Sequence, residues 1–438
     1  MFERKDAVGG RNYPLRLKNF IFDLGPTFFL MTDVLQDIFS ATSRRMEDYI
    51  QLIEIDPLYR LRFDNGVEFL PTKDADSMKK QMENWIVGSF KGYEKYLKCE
   101  KKKYDAIIPC LRAPYHSWMS YFSLRILRSI PRLDAHISLF SQLGRYFKDP
   151  DMRVAFCFQA KYLGMSPWQC PGIFSILSFI EHQGGVFHVK GGMNRLSQAM
   201  AKVIEEDKGM IHLSTPVEKI IFENRKATGA QLANGEIIKG DHVIINADFA
   251  YAMDQLVDEG RRRKYTREKL HKGNVDDISR FYRLSEDPSF YIQNASITDD
   301  ALAPPGKSAL YVLVPTPNNK SGIDWKKRKE SFKELILNLV EEKGGLKDLR
   351  NHIEVMKVVT PLDWEKGENV FLGATFNLAH SIDQMLIFRP HNRFEEFDNC
   401  YLVGGGIHPG SGLPTIYESG NITAKLIMER DGVKVNWS

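Results

Sequence analysis

The feature that most constrains this chain lies near its C-terminal end. A short apolar run, Cys400 to Val403, is followed by Gly404-Gly405-Gly406, by a second turn, Gly410-Ser411-Gly412-Leu413-Pro414, and by a helical stretch from Pro414 to Met428. Three consecutive glycines let backbone approach a ligand with no Cβ in the way, and the helix that follows turns its partially positive N-terminus toward the same place. An anion or an electron-rich ring suits such a place, although plain strand-to-helix geometry would use the same residues. Near the other end, Met1 to Arg11 reads as the end of a strand carrying the acidic Glu3, followed by the tight turn Val8-Gly9-Gly10-Arg11. Turns of this kind at both ends imply a discontinuous nucleotide domain with other segments inserted between them.

Composition narrows the alternatives. The 438 residues can bury a sizeable core, and 60 basic against 56 acidic residues, a net charge of +4, is too even a balance to imply nucleic acid as the partner. The five cysteines, Cys99, Cys110, Cys157, Cys170 and Cys400, form no CxxC pair and there is no histidine cluster at ligand spacing, so no metal is expected. The thiols read as reduced in a cytoplasmic compartment, and Glu3, Arg4, Lys5 and Asp6 interrupt any secretory leader at once. Tyr162 to Ile180 is a charge-free run of 19 residues. Gly164, Pro167, Pro171 and Gly172 would break a spanning helix there, so the run reads as a buried wall leading into a short helix.

Along the chain, Phe20 to Gly25 reads as a strand, and Thr32 to about Tyr49 as a helix capped by Thr32. Leu58 to Leu70 reads as a hairpin around Asp64-Asn65-Gly66, and Asp74 to Phe147 as helical. Ala113 to Arg132 mixes Tyr115, Trp118, Tyr121, Phe122, Ile126 and Ile130 with Arg125, Arg128 and Arg132, and Arg112 stands just before it, a composition suited either to a membrane interface or to an amphipathic core helix. After Gly191-Gly192 a helix carries Leu196, Met200, Val203 and Ile204. Strands follow at Pro216 to Phe222 and Ala227 to Leu232, with a turn at Asn234-Gly235 and a short buried strand at His242 to Ile245.

Four stretches together carry a resemblance. They are Glu3 through Thr27, with VGGR and FDLGPT; YLGMSP, Tyr162 to Pro167, with GGVFHVKGGMNRLSQAM, Gly184 to Met200; Ser285 to Pro317; and FRPHNR, Phe388 to Arg393, with YLVGGGIHPGSGLPTIYESG, Tyr401 to Gly420. In these the chain resembles the carotenoid (phytoene and 4,4'-diapophytoene) desaturase family of the FAD-dependent, amine-oxidase-like flavoproteins. The resemblance implies an α/β, two-domain FAD-dependent oxidoreductase fold: a Rossmann-like nucleotide domain interleaved with an α+β substrate and membrane domain. The expected division is 1–73, 184–258 and 386–438 for the FAD-binding parts, 74–183 for a helical, membrane-associated lobe, and 259–385 for a substrate-domain sheet.

It further implies FAD as cofactor, a hydrophobic polyene as substrate, a peripheral place at the membrane surface and a quinone or oxygen as electron acceptor. The chemistry expected is hydride loss from an allylic carbon to the flavin and proton loss from its neighbour. Carried over residue by residue, Glu3 matches the ribose-binding acid, Gly9, Gly10 and Arg11 the turn over the phosphates, and Gly25, Pro26 and Thr27 the segment near the isoalloxazine. Val217 matches the strand facing the adenine, and Asn246 to Asp248 the element after the buried strand. Gly405, Gly406, Gly412, Leu413 and Pro414 match the turn around the ribityl chain and pyrimidine edge.

Phe156, Phe158, Tyr162, Met165, Trp168 and Phe174 are expected to wall the substrate tunnel or to pack as core. For proton removal the candidates are Glu181, a carboxylate beside an apolar wall, and His408, which follows the glycine turn. Two departures from the pattern are expected to matter. The G-x-G-x-x-G strand, turn and helix (the first βα unit) is missing, so the chain reads as N-terminally truncated with its FAD held less strongly. Only the polar Lys264 to Phe281 stands where the family has a longer, cavity-lining stretch. Rival readings are a polyene isomerase or retinol-saturase-like enzyme, and a non-catalytic, flavin-free remnant.

Overall fold

The computed structural model describes residues 1–115, 122–273 and 283–437. Trp118 and Tyr121 lie outside the described residues, as does most of the second half of Lys264 to Phe281. The nucleotide side is assembled from remote segments. Val243–Ile245 pairs in parallel with Cys400–Leu402, Val243 opposite Cys400 and Ile245 opposite Leu402. Phe2 makes a parallel bridge to His212, and the Glu3 N–H donates to the His212 carbonyl at 2.9 Å. A three-stranded antiparallel meander, Val217–Glu223, Lys226–Leu232 and Ile237–Lys239, lies between these segments in sequence. Its second turn places Gly235 at φ 88°, a left-handed conformation that glycine adopts without a Cβ clash.

The apolar residues of the meander, the parallel pair and Phe394 and Phe397 form one core. The expected burial of the strand at His242 to Ile245 holds for Ile245 and fails for Ile244, which is 53% exposed. Successive strand residues face opposite sides, and only one side of this pair is packed. The helix Leu413–Arg430 runs back across Tyr401 through Ile422 and Leu426, its start set by Gly412 at φ 106° and Pro414 in the first turn.

The helical lobe encloses a second, larger core. Helices Ala75–Trp85, Ser89–Leu111 and Ile176–Gly184 bury Met78, Met82, Tyr93, Tyr96, Ile107 and Phe179 against Phe147 and Phe156. Asp74 caps the first of these by accepting the Ser77 N–H at 2.7 Å. The charge-free run Tyr162 to Ile180 divides among a 3-10 turn ending at Leu163, a second at Gly172–Ser175, and the helix that continues to Gly184. Among the described residues no helix is long and apolar enough to cross a membrane.

Two local expectations are corrected, and one pairing had no expectation. Thr32 is the first residue of a helix that ends at Ala41, and the cap position is Met31, in a left-handed conformation at φ 53°. Leu52–Ile55 is a strand paired antiparallel with Val186–Val189, a partnership between segments too distant for local pattern to reveal. In the segment expected as a sheet, two strands, Tyr291–Asn294 and Leu310–Leu313, pair antiparallel, and an 18-residue helix, Trp325–Glu342, packs Ile336, Leu339 and Val340 against Phe290 and Ile292.

Candidate active site

These parts surround one cavity of about 3420 Å³, bordered by residues from the N-terminal segment, from the lobe at 154–188, from the meander and the strands and helix at 287–361, and from the C-terminal turns. One wall is backbone. Gly25, Gly404, Gly405 and Gly412 border the cavity, with Thr27, Asn246, Leu413 and Pro414 beside them. A Cβ on Gly25 would stand 2.4 Å from the Arg11 carbonyl oxygen, so the two chains touch here only because the residue is glycine. Gly406 lies behind the wall, where a Cβ would meet Phe249 at 2.6 Å.

Arg389 holds this wall from behind. It has no exposure, and its guanidinium donates to five carbonyls: Ile407 (3.1 Å), Ala379 (3.1 Å), Gln384 (3.2 Å), Leu378 (3.4 Å) and Gly405 (2.6 Å). Burial pushes it down to about 9, so it remains a cation at neutral pH. The Ser411 N–H donates to His380 Nε2 at 3.1 Å, fixing the second glycine turn. Asn377 stands between the ends of the chain, accepting from Arg11 Nη2 at 3.2 Å, while Asp248 accepts from the same nitrogen at 2.5 Å. Arg11 Nε is buried with no protein acceptor. Glu3 borders the cavity with a carboxylate oxygen on the Lys5 N–H, and Gly9, Gly10 and Val217 border it as well. A wall of bare backbone, an unpartnered buried donor and an acid at a strand end fit the ring, ribityl and ribose parts of FAD.

Another part of the lining is made of side chains. Phe158, Tyr162 and Met165 line the cavity as the sequence suggested. Phe156 instead packs inside the lobe core against Phe147 at 4.5 Å between ring centres; Phe174 packs against His380; and Trp168, 60% exposed, stacks on Phe140. Glu181 has no exposure to bulk solvent yet borders the cavity. Burial pushes its carboxyl up to about 7, against hydrogen bonds from Gln159 and Tyr162 that pull it down. Oε2 accepts from Gln159 Nε2 at 2.7 Å, and Oε1 has no partner in the protein.

Sequence reasoning missed a second carboxyl. Asp23, at the end of the strand Phe20–Asp23, borders the cavity, and burial pushes it up to about 6 although it accepts the Met193 N–H at 2.8 Å. Asp299 holds the same glycine turn from the other side, accepting from His188 Nε2 at 2.9 Å and from the Gly191 N–H at 2.5 Å. For Asp299 burial works against the charge, but these bonds outweigh it and hold the carboxyl down. His408 lies away from the cavity wall. Its Nε2 donates to the Ala113 carbonyl at 2.9 Å, and burial pushes the ring down to about 3, so it stays neutral.

Comparison with known proteins agrees with this geometry. A family model described as "Flavin containing amine oxidoreductase" matches residues 1–428. A 4,4'-diapophytoene desaturase (4,4'-diapolycopene-forming) from Methylomonas sp is 45% identical, over 99% of this chain and 91% of the relative. That alignment spans 466 positions, more than this chain has residues, so the relative carries residues within the matched stretch that have no counterpart here. A zeta-carotene-forming phytoene desaturase of Myxococcus xanthus is 34% identical, over 98% of this chain and 88% of its own. Among solved structures, an oxidoreductase from Methanosarcina mazei superposes with a TM-score of 0.57 at 17% identity, covering 98% of this chain and 93% of its own. A protein of Pyrococcus furiosus superposes with 0.57 at 13% identity, covering 100% and 92%. At those identities the structures bear on the fold alone.

Proposed function

Since the chain belongs to the flavin containing amine oxidoreductases, we propose that it desaturates a linear isoprenoid of the phytoene or diapophytoene type in carotenoid biosynthesis. It is an oxidoreductase, and its cofactor is FAD. The observation that carries the reading is one cavity bordered both by bare glycine backbone and by aromatic side chains with a buried carboxyl among them.

When bound, FAD would supply a two-electron, hydride-accepting oxidant. The residues of this chain do the rest. Gly25, Gly404, Gly405 and Gly412 let the cofactor lie against main chain, with Arg11 and Glu3 on its nucleotide side. Phe158, Met165, Leu177 and Ile180 exclude water from the hydrocarbon and hold it in place. Glu181 accepts the proton from the neighbouring carbon at its free oxygen, Oε1. A carboxyl near 7 is matched to that work, being largely ionised just above neutrality and able to hold a proton once it has one. His408, neutral and turned to a backbone carbonyl, serves the packing of the glycine turn.

An apolar substrate of this kind resides in a bilayer. Phe122, 76% exposed, with Leu127 and Ile130, also exposed, forms the face on which the chain would meet the membrane surface, beside the basic Arg128 and Arg132. Ile126 joins that face to Ile387, and the exposed Phe388 extends it. The acceptor that reoxidises the flavin is a quinone from the same bilayer or oxygen.

The test is to load the purified chain with excess FAD, desalt it, and add vesicles carrying phytoene or diapophytoene. Retained flavin absorbance and a product with new visible bands are expected. In Glu181→Gln, product formation should fall by about 10²–10⁴-fold with flavin retained. Altered geometry without new conjugation would make it an isomerase, and lost conjugation a saturase. Failure to retain flavin or change the substrate would overturn the reading.

A further inference from the structure

The free oxygen of Glu181 is useful only if something fixes which oxygen is free. The contacts behind the wall form a directed chain. Burial pushes His182, the next residue on the Glu181 helix, down to about 3, so its ring is neutral and must donate from one nitrogen and accept at the other. Its Nε2 lies 2.8 Å from the Tyr59 hydroxyl and its Nδ1 3.1 Å from the Tyr93 hydroxyl. Tyr59 also receives a hydrogen bond at 3.2 Å from Gln159 Nε2. Tyr59 has one proton to give, and of its two neighbours Gln159 Nε2 is itself a donor, so that proton goes to His182 Nε2 and the ring N–H is left at Nδ1 to donate to Tyr93. The order of donors is therefore fixed from one end to the other.

Gln159 is the hinge of the arrangement. Its amide nitrogen has two hydrogens, and they meet two acceptors: Glu181 Oε2 at 2.7 Å and the Tyr59 oxygen at 3.2 Å. Its own carbonyl oxygen, Oε1, is buried with no partner. A turned-over amide would set its carbonyl oxygen against the Tyr59 oxygen, whose proton is given to His182, and against Glu181 Oε2, so these two acceptors together favour the NH₂ side. The residue is 1% exposed, so no solvent competes. The other ionisable groups facing Glu181 are the phenols of Tyr162, Tyr59 and Tyr291, which feel its charge.

We propose that Gln159, held by Tyr59 and through it by His182 and Tyr93, is the positioning residue that turns one Glu181 oxygen to the cavity and keeps the carboxyl a proton acceptor rather than a donor. The amide can only donate to Glu181, and donation favours the carboxylate. Freed from Tyr59, the same amide can turn its carbonyl oxygen to Glu181 and favour the protonated form. Gln159 touches neither substrate nor cofactor; it acts through Glu181. This inference rests on the reading of Glu181 as the proton acceptor.

The experiment is the pH dependence of kcat/KM for the FAD-loaded chain, compared among the native protein, Gln159→Met and Tyr59→Phe, with an infrared titration of the Glu181 carboxyl in the flavin-free protein, assigned by its absence in Glu181→Gln. The native limb is expected near 7. In Gln159→Met, which loses a hydrogen bond to a charged group, the limb and the infrared transition should move to higher pH by roughly one to two units. Tyr59→Phe, which removes one oxygen, should move both in the same direction by less. A fall in kcat in either variant with limb and infrared transition unmoved would assign these residues to packing and overturn the proposal. If the native limb is absent, or Glu181→Gln keeps full activity, the reading of Glu181 itself fails and takes this proposal with it. The infrared arm decides the positioning question without turnover.

Discussion

The two walls of the cavity are built on opposite principles. On the glycine wall main chain does the contacting, and the side chains that matter, Arg389 and His380, stand behind it and bind carbonyls and an amide. On the lobe wall side chains do the contacting, and those that matter, Glu181, Gln159 and His182, are polar groups driven into an apolar interior. One wall is specified by where a Cβ cannot fit. The other is specified by which protonation state burial permits. A cofactor that must lie flat against protein calls for the first kind of surface, and a proton that must be taken from carbon calls for the second.

If that division holds, damage on the two walls should differ in kind. Arg389→Met removes donors from five buried carbonyls, each worth about 1 kcal/mol or more when left unsatisfied, with some relief because a buried cation is also removed. We expect a net loss of stability on the order of 4 kcal/mol, read in urea, with loss of retained flavin. Preserved stability with flavin lost would show that Arg389 serves the ligand directly and is more than a bracket for the turn.

The lobe wall makes the reverse prediction, since its acid costs stability. Glu181 ionises at about 7 in the fold against 4.5 when free. Between those values the folded chain holds a proton that the unfolded chain has released, so stability is fully present below 4.5 and is lost as pH rises through about 7. Glu181→Gln has no such proton. It should be more stable than the native chain by on the order of 3 kcal/mol at about pH 8, with the gap closing toward about pH 4. A gap independent of pH would mean that the carboxyl ionises in the fold as it does in the unfolded chain, so that burial does not raise it, and the contrast between the walls would collapse.

The same contrast explains what could be read from the sequence. The glycine turns were legible because their signal is local: Gly404 to Gly406 and Gly410 to Pro414 are neighbours in the chain as well as in space. Glu181 was legible for a related reason, being the first charge after a charge-free run, where an ionisable group is bound to be buried. Its partners were not, because Tyr59, Tyr93 and Gln159 come from remote segments and are ordinary residues in their own surroundings. Arg389 sits inside a recognised stretch, FRPHNR, and two of its acceptors, at 405 and 407, in another, yet those at 378, 379 and 384 belong to no pattern. The pairing of Leu52–Ile55 with Val186–Val189 failed to appear on the same ground. His408 was named from proximity to the glycines in sequence, and its ring is turned to Ala113.

The smallest expected effect separates close packing from conformational need within the glycine wall itself. Gly405 has no left-handed φ, so alanine meets no backbone strain there, unlike at Gly404 or Gly412. Its Cβ would stand 3.0 Å from Asn377 Nδ2, the end of a side chain that can give by a few tenths of an ångström. That movement would loosen the 3.2 Å contact between Asn377 and Arg11. Gly405→Ala should therefore leave the melting temperature nearly unchanged and weaken FAD by about 1 kcal/mol, roughly fivefold in Kd, read by flavin fluorescence titration. Gly25→Ala, whose Cβ would meet the Arg11 backbone oxygen at 2.4 Å, has no side chain to move and should abolish flavin retention. Equal effects from the two would mean that the methyl acts by filling the space where the cofactor lies. Unequal effects in the expected order would mean that the wall works by holding its two chain segments in contact.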